Sequence, residues 1–226
     1  MSAVKRFYKS VGIRSVAGGD EVALDGRGIK TPLAAALILP TRALAEAVAA
    51  EWSDQGDYIS PAAMPLTQLA NIVVDRVRPA RESFRAFVAA FGRSDLVCQR
   101  AERPADLVRC QDELWTPLVD WAAARYSAKL VVGQGVMPLA QPAEALMALD
   151  GAVHALDDWV LAVVGTAAAA SGSLILALAI VESRVDSANA CRIALLDETW
   201  QMERWGKDQE GMKRQEVIVA EITSAA

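Results

Sequence analysis

The spacing of hydrophobic residues changes once along this chain, from a strand-like pattern to a helix-like one. Up to Leu39 the pattern favours strands, and Phe7–Val16 mixes aromatic and β-branched residues. Val22–Leu24 and Gly28–Lys30 flank Asp25-Gly26-Arg27, a sequence typical of a tight hairpin turn. The first part of the chain is therefore predicted to form a small antiparallel β-sheet.

A helix is predicted to follow and to cover this sheet. Thr41 has the residue type of an N-cap, and Arg42–Gln55 carries Leu44, Val48 and Trp52 at helical spacing. We therefore expect Trp52 to be a core residue of a two-layer α+β unit. The N-terminal α+β domain is placed at residues 1–62.

After Pro61 the pattern is mainly helical and predicts an orthogonal α-helical bundle over residues 63–226. The fold class is thus α+β. Asp95–Gln99 and Leu130–Val132 are predicted as isolated strands. The predicted helices cover Leu66–Val77, Arg81–Phe91, a helix ending at Trp115, a second from Thr116-Pro117 to Ala124, and then residues 142–155, 156–169, 173–183, 186–206 and 207–222.

One uncharged segment, Trp159–Val181, is long enough to cross a bilayer. Its middle is rich in small residues, and Ser171-Gly172-Ser173 indicates a turn with a serine capping the next helix. Its flanks are acidic at Asp157 and Glu182, without a Lys/Arg cluster to orient an insertion. We expect two buried helices and no stable membrane insertion, with a peripheral membrane protein as an alternative.

Composition indicates a folded globular protein, since 53% of the 226 residues are hydrophobic and 23% are charged. The net charge of −5 argues against a nucleic-acid binder. Basic residues are nevertheless concentrated in residues 1–30, where we expect a solvated face. The chain start, MSAVKRFYKSV, resembles neither a signal peptide nor a long transit segment, which predicts a protein that stays in the compartment where it is made.

No set of residues indicates catalysis, a cofactor or a metal. The cysteines, at positions 98, 110 and 191, match no zinc or disulfide spacing. His154 is the only histidine and lacks a nucleophile pattern. Adjacent acids at 112–113, 157–158 and 197–198 point about 100° apart on a helix, so they do not converge. An enzyme with a carboxylate pair in a helical cleft remains an alternative.

The segment Leu195–Gly206, LLDETWQMERWG, is the main candidate for a functional surface. On a helix, Glu198, Met202 and Trp205 share one face, while Asp197, Trp200 and Arg204 share another. Glu203 is expected to pair with Lys207 on the surface. Tryptophan and arginine are favoured where a surface meets a partner. One interpretation is a binding surface, and the other is a tryptophan in the core with acids that keep the helix soluble.

The chain also resembles a known family along nearly its whole length. The matching segments are Ser2–Lys30 with KRFYKSV and LDGRGIKTPL (the latter running on to Leu33), Leu39–Trp52, Ile59–Asn71, Asp95–Ala122, Gly172–Ala179 and DETWQMERWGKDQE from Asp197 to Glu210. It is similar to the assembly chaperones, often called assembly factor "twelve", that attend the α subunit of the F-type ATP synthase catalytic head.

The resemblance implies a chaperone without enzymatic activity or cofactor, which holds the unassembled α subunit and shields the surface that later meets the β subunit. It also implies a small N-terminal α+β domain followed by a mainly helical one, and, since organelle members would carry a transit segment, a bacterial cytoplasmic member. With the residues of the C-terminal helix, it predicts a protein client as partner, a monomeric chaperone, and client contacts through Asp197, Glu198, Trp200, Glu203, Arg204 and Trp205.

Overall fold

The structure is a computed structural model that describes residues 4–135, 139–206 and 209–225. The chain forms two compact units, Met1–Arg81 and Glu82–Ala226. The division falls later than the predicted domain boundary after residue 62, because the helix that follows Pro65 packs with the N-terminal unit. Independent folding of residues 1–62 stays a prediction. The predicted α+β class is confirmed.

The N-terminal unit contains the predicted antiparallel sheet. Its strands are β1 (Val4–Lys5), β2 (Val11–Val16), β3 (Gly19–Leu24), β4 (Arg27–Gly28), β5 (Ile38–Leu39) and β6 (Tyr58–Ile59). Strands β2, β3 and β4 follow each other in a four-stranded sheet in which β5 pairs with β3, and β1 and β6 form a separate two-stranded sheet. The predicted hairpin turn is present between Leu24 and Arg27, where Asp25 and Gly26 both have positive φ. Asp25 fixes the turn by accepting hydrogen bonds from the backbone N–H groups of Lys9 and Ser10.

Helix α1 (Arg42–Ser53) packs on this sheet, as predicted. The Thr41 side chain caps it by accepting a 3.2 Å hydrogen bond from the N–H of Leu44. Val48 is fully buried, but Trp52, the expected core residue, is only partly buried. The Trp52 ring lies edge-on to Tyr8 with 5.7 Å between ring centroids, and the Tyr8 hydroxyl donates to the Trp52 carbonyl oxygen.

A carboxylate of α1 explains why the next helix, α2 (Pro65–Ile72), belongs to the N-terminal unit. Glu51 accepts hydrogen bonds of 2.7 and 2.8 Å from the N–H groups of Leu66 and Thr67. These N–H groups start α2 and have no partner within the helix. A single helix was predicted over Leu66–Val77. The observed α-helix ends at Ile72 and is followed by a π-helical turn, Val73–Val77, and a 3-10 turn, Arg78–Ala80.

The second unit is mainly helical. Its elements are α3 (Arg81–Ala90), β7 (Gln99–Arg100), α4 (Ala105–Tyr126), β8 (Gly133–Gln134), α5 (Ala143–His154), α6 (Asp158–Ser171), α7 (Leu174–Val181), α8 (Ser187–Ala194), α9 (Leu196–Trp205) and α10 (Gln209–Ala225). Strands were predicted at Asp95–Gln99 and Leu130–Val132. The observed strands, β7 and β8, begin later in the chain than these and pair with each other in parallel. Leu96–Cys98 is a 3-10 turn.

Two helix boundaries differ from the predictions. Pro117 was expected to mark a kink or a break, and the break was wrong, since α4 runs through it as one helix. Pro117 has no N–H for the carbonyl of Glu113, but Trp115 and Leu118 beside it are buried, and this packing offsets the lost bond. The predicted helix over 186–206 is two helices, α8 and α9, separated at Leu195 with φ −103° and ψ 17°.

The uncharged segment forms the core of this unit. It turns at Gly172, with φ 71°, and Ser173 caps α7 by accepting a 2.9 Å hydrogen bond from the N–H of Leu176. All residues of α7 from Leu174 to Ile180 are buried. The predicted pair of buried helices is therefore present. In the described parts of the chain, no helix is both long enough and apolar enough to cross a membrane.

Asp95 satisfies the buried amino end of α7. One of its carboxylate oxygens accepts a 2.9 Å hydrogen bond from the N–H of Ile175, and the other accepts from the N–H of Val97. Burial raises the pKa of Asp95 to about 6, although hydrogen bonds from Ser173, Ile175 and Val97 act in the opposite direction. The group is thus expected to lose its proton near pH 6 in the folded protein and near pH 3.8 in the unfolded chain.

We expect the free energy of unfolding to fall as the pH rises from about 4 to about 6. In this range Asp95 keeps its proton in the folded protein but has lost it in the unfolded chain, so each rise in pH favours the unfolded chain. The fall attributable to Asp95 is up to about 3 kcal/mol. Urea unfolding of the wild type and of Asp95→Asn at several pH values isolates this contribution, since other carboxylates cancel in the difference. Parallel pH profiles for the two proteins would contradict it.

Candidate functional site

The candidate site is centred on α9, a helix with charged ends and no fully buried residue. Asp197 and Glu198 lie in its first turn and Arg204 in its last, an arrangement that complements the helix dipole. The two faces predicted from the spacing are both present. They have different surroundings, because one contacts α4 and the other borders α10.

The first face attaches α9 to α4. Asp197 accepts a 2.8 Å hydrogen bond from Nε2 of Gln111, whose side chain is 1% exposed. Oε1 of Gln111 accepts a 2.8 Å hydrogen bond from the N–H of Ala101. Burial raises the pKa of Asp197, against the lowering effects of Gln111 and Arg100. Asp197 is therefore partly buried and turned toward α4.

Arg204 and Trp200 belong to the same face. The Arg204 guanidinium pairs with Asp106 on α4, and its carbon lies 4.1 Å from the centroid of the Trp200 ring. Both Arg204 and Asp106 are partly exposed, so the pair contributes little stability by itself. The hydrogen bond between Asp197 and Gln111 lies near the start of α9, and the pair between Arg204 and Asp106 lies near its end. Helix α9 is thus attached to α4 at both ends.

A buried arginine lies beside the Asp197 attachment. Arg100 is 3% exposed, and its guanidinium stacks 5.1 Å from the ring of Trp115. Its Nε lies 3.7 Å from Asp112, and Nη2 donates to Thr116. Burial lowers the pKa of Arg100, with the acids Asp112 and Asp197 opposing it. The arginine thus supplies positive charge near the buried end of Asp197.

The second face borders a groove of about 440 Å³ between α9 and α10. Glu198, Met202 and Trp205 form its α9 side, and Arg214 and Ile218 lie on its α10 side. Trp205 is 75% exposed and packs edge-on against Trp200 with 5.9 Å between centroids. This face therefore combines a large exposed aromatic ring, an apolar floor and charges of both signs.

The remaining predicted residue, Glu203, is exposed on α9. Its expected partner Lys207 lies outside the described residues. Sequence reasoning missed Asp106, Gln111 and Arg100 as neighbours of the site. No local signal could have found them, because Asp197 is 86 residues from Gln111 and Arg204 is 98 residues from Asp106.

The acid pairs do not converge. Asp112 is near Arg100 while its neighbour Glu113 faces Arg109, and Asp157 caps α6 through the N–H groups of Trp159 and Val160. Within the described ranges, no group of three or more His, Cys, Asp or Glu side chains could hold a metal ion. Cys98 is buried, and burial raises the pKa of its thiol to about 12, which disfavours the reactive thiolate.

Comparison with known proteins identifies the family. The sequence model of the family described as ATP12 chaperone protein matches residues 5–123, which is more than half of the 226-residue chain. The chain belongs to the ATP12 chaperone family. This confirms the resemblance found in the sequence and the expected function, a chaperone of ATP synthase assembly.

Solved structures of bacterial proteins are similar over almost the whole chain. Atp12 from Paracoccus denitrificans is 39% identical, with a TM-score of 0.90 over 98% of this chain and 95% of that chain. A single-substitution mutant of P. denitrificans Atp12p is 38% identical, with a TM-score of 0.89 over 99% and 97% of the two chains. The Atu1473 protein from Agrobacterium tumefaciens is 35% identical, with a TM-score of 0.91 over 98% and 83%.

The attachment of α9 can be tested by replacing Gln111 with Leu. The substitution leaves the Asp197 carboxylate and the N–H of Ala101 without their partner, which costs about 1–3 kcal/mol of folding free energy. Urea unfolding of Gln111→Leu, Asp197→Ala and the double variant forms the appropriate cycle, because alanine removes the oxygen that accepts from Gln111. We expect the double variant to lose less than the sum of the single losses. Additive losses would show that the two side chains do not interact.

Proposed function

We propose that this protein binds the unassembled α subunit of the F-type ATP synthase catalytic head and shields the surface that later meets the β subunit. It acts by binding alone, without a catalytic step or cofactor. It works as a monomer in the bacterial cytoplasm, in keeping with its similarity to the Paracoccus and Agrobacterium proteins. Membership of the ATP12 chaperone family supports a protein client.

The observation that carries the proposal is the outer face of α9. Trp205 has three-quarters of its surface in water and stands at the edge of the α9–α10 groove, beside Met202 and Ile218. A contiguous exposed apolar surface rimmed by charges is typical of protein-interaction sites. Tryptophan is among the residues that contribute most to protein interfaces, and charges around it exclude wrong partners. Trp205, Met202 and Glu198 therefore form the proposed client surface.

The other predicted contact residues have more limited roles in this proposal. Asp197 attaches α9 to α4, and Arg204 with Trp200 completes that attachment. They orient the helix for the client. Glu203, which is exposed beside Trp205, contributes a charge at the rim of the contact.

Charge reversal at Glu198 tests the surface. Glu198 makes no hydrogen bond or ion pair with the described residues, so the main folding cost of Glu198→Lys is the lost helix-dipole interaction in the first turn of α9, about 1 kcal/mol or less. In a partly desolvated contact the reversed charge costs about 2 kcal/mol or more of binding. The variant should fold normally and fail to keep the isolated α subunit soluble, as measured by thermal melting and light scattering.

A matched control lies on α10. Glu216→Lys changes the net charge by the same amount at an exposed position that does not line the groove. It should protect the α subunit as well as the wild type does. If Glu198→Lys also protects fully, the α9 face is not the client surface. If it unfolds, Glu198 has a structural role and the proposal for this residue falls.

A further inference from the structure

The N-terminal unit has a groove of its own, of about 450 Å³. Its apolar wall is a row of three aromatic rings, Phe7, Tyr8 and Trp52, in successive edge-on contacts of 5.4 and 5.7 Å between centroids. Tyr8 is buried, but Phe7 at the end of the row is 68% exposed. The groove thus presents an aromatic ring to solvent at its mouth.

The polar side of the groove is basic. Arg27 and Lys30 line it from the segment that begins at β4, and both are exposed. Neither forms an ion pair or a side-chain hydrogen bond with the described residues. The positive charge is local, because the whole chain has a net charge of −5. A negatively charged group in the groove would therefore meet two cations that have no competing partner in the described chain.

One carboxylate, Asp25, also lines the groove, but the turn already uses it. It accepts hydrogen bonds from the N–H groups of Lys9 and Ser10 and from the Ser10 hydroxyl. These bonds lower its pKa, so it remains ionised and fixed. With one carboxylate against the two cations Arg27 and Lys30, the lining of the groove has a net positive charge.

We propose that this groove binds a short segment of the protein client in which an apolar side chain is followed closely by a carboxylate. The apolar side chain packs on Phe7 and the carboxylate lies between Arg27 and Lys30. The groove is thus a second contact with the client, separate from the α9 face, and this inference rests on the proposed function for the client's identity. Aromatic residues with arginine at their edge are the composition typical of protein interfaces.

A photocrosslinking experiment tests the contact directly. The amino acid p-benzoylphenylalanine replaces Phe7 in one full-length variant and Trp205 in another. Each is irradiated with isolated α subunit, and the crosslinked peptides are identified by mass spectrometry. We expect residue 7 to crosslink to a segment of the α subunit that carries Asp or Glu within about three residues of an apolar side chain.

Affinity measurements supply the matched comparison. Lys30→Glu and Lys129→Glu make the same substitution at exposed lysines, and Lys129 lines neither groove. Lys30→Glu should weaken binding of the α subunit several-fold at low salt, with the difference shrinking at high salt, because screening reduces the repulsion. Lys129→Glu should bind like the wild type. Phe7→Ala should lose about tenfold or more.

The outcomes separate this inference from the proposed function. A crosslink from residue 205 without one from residue 7 overturns the second contact and leaves the proposed function intact. Equal affinities for Lys30→Glu and Lys129→Glu, or a crosslinked segment without a carboxylate, also overturn it. If the wild type binds no α subunit at all, both proposals fail.

Discussion

The buried amino end of α7 is the constraint on which the helical unit depends. An apolar helix can be enclosed by others only if its first N–H groups find acceptors inside the core. Asp95 and Ser173 provide them, at the cost of burying a carboxyl group whose pKa rises as a result. This acid also caps the turn Leu96–Cys98, so the same side chain fixes the direction in which the chain leaves the core.

The candidate site follows from that direction. The chain after Cys98 places Arg100 over Trp115 and the N–H of Ala101 against Gln111. Gln111 can then donate to Asp197, which attaches the start of α9. Because Asp197 and Arg204 attach α9 to α4 by polar contacts on one side of the helix, its apolar side chains at 202 and 205 remain available to a partner. Contacts in the core therefore decide which face of α9 packs on α4 and which face is turned to solvent.

The two grooves suit a chaperone in different ways. The α9–α10 groove offers an exposed tryptophan with charges of both signs, and the N-terminal groove offers an aromatic row with cations. Moderate apolar contacts surrounded by charges permit binding that is specific yet reversible, since charges govern the choice of partner and the rate of encounter more than the final affinity. Under the proposed function the client is later transferred to a permanent subunit interface, and a reversible contact of this kind allows that transfer.

The sequence alone determined the features that depend on neighbouring residues. These include the Asp25-Gly26 turn, the caps at Thr41 and Ser173, the division of the uncharged segment into two helices, and the two faces of α9. Tertiary structure decided the rest. It carried α4 through Pro117 by packing Trp115 and Leu118, separated α8 from α9, and paired β7 with β8. It also decided which face of α9 is an attachment, because Gln111 and Asp106 reach it from far along the chain, and no local pattern encodes such partners.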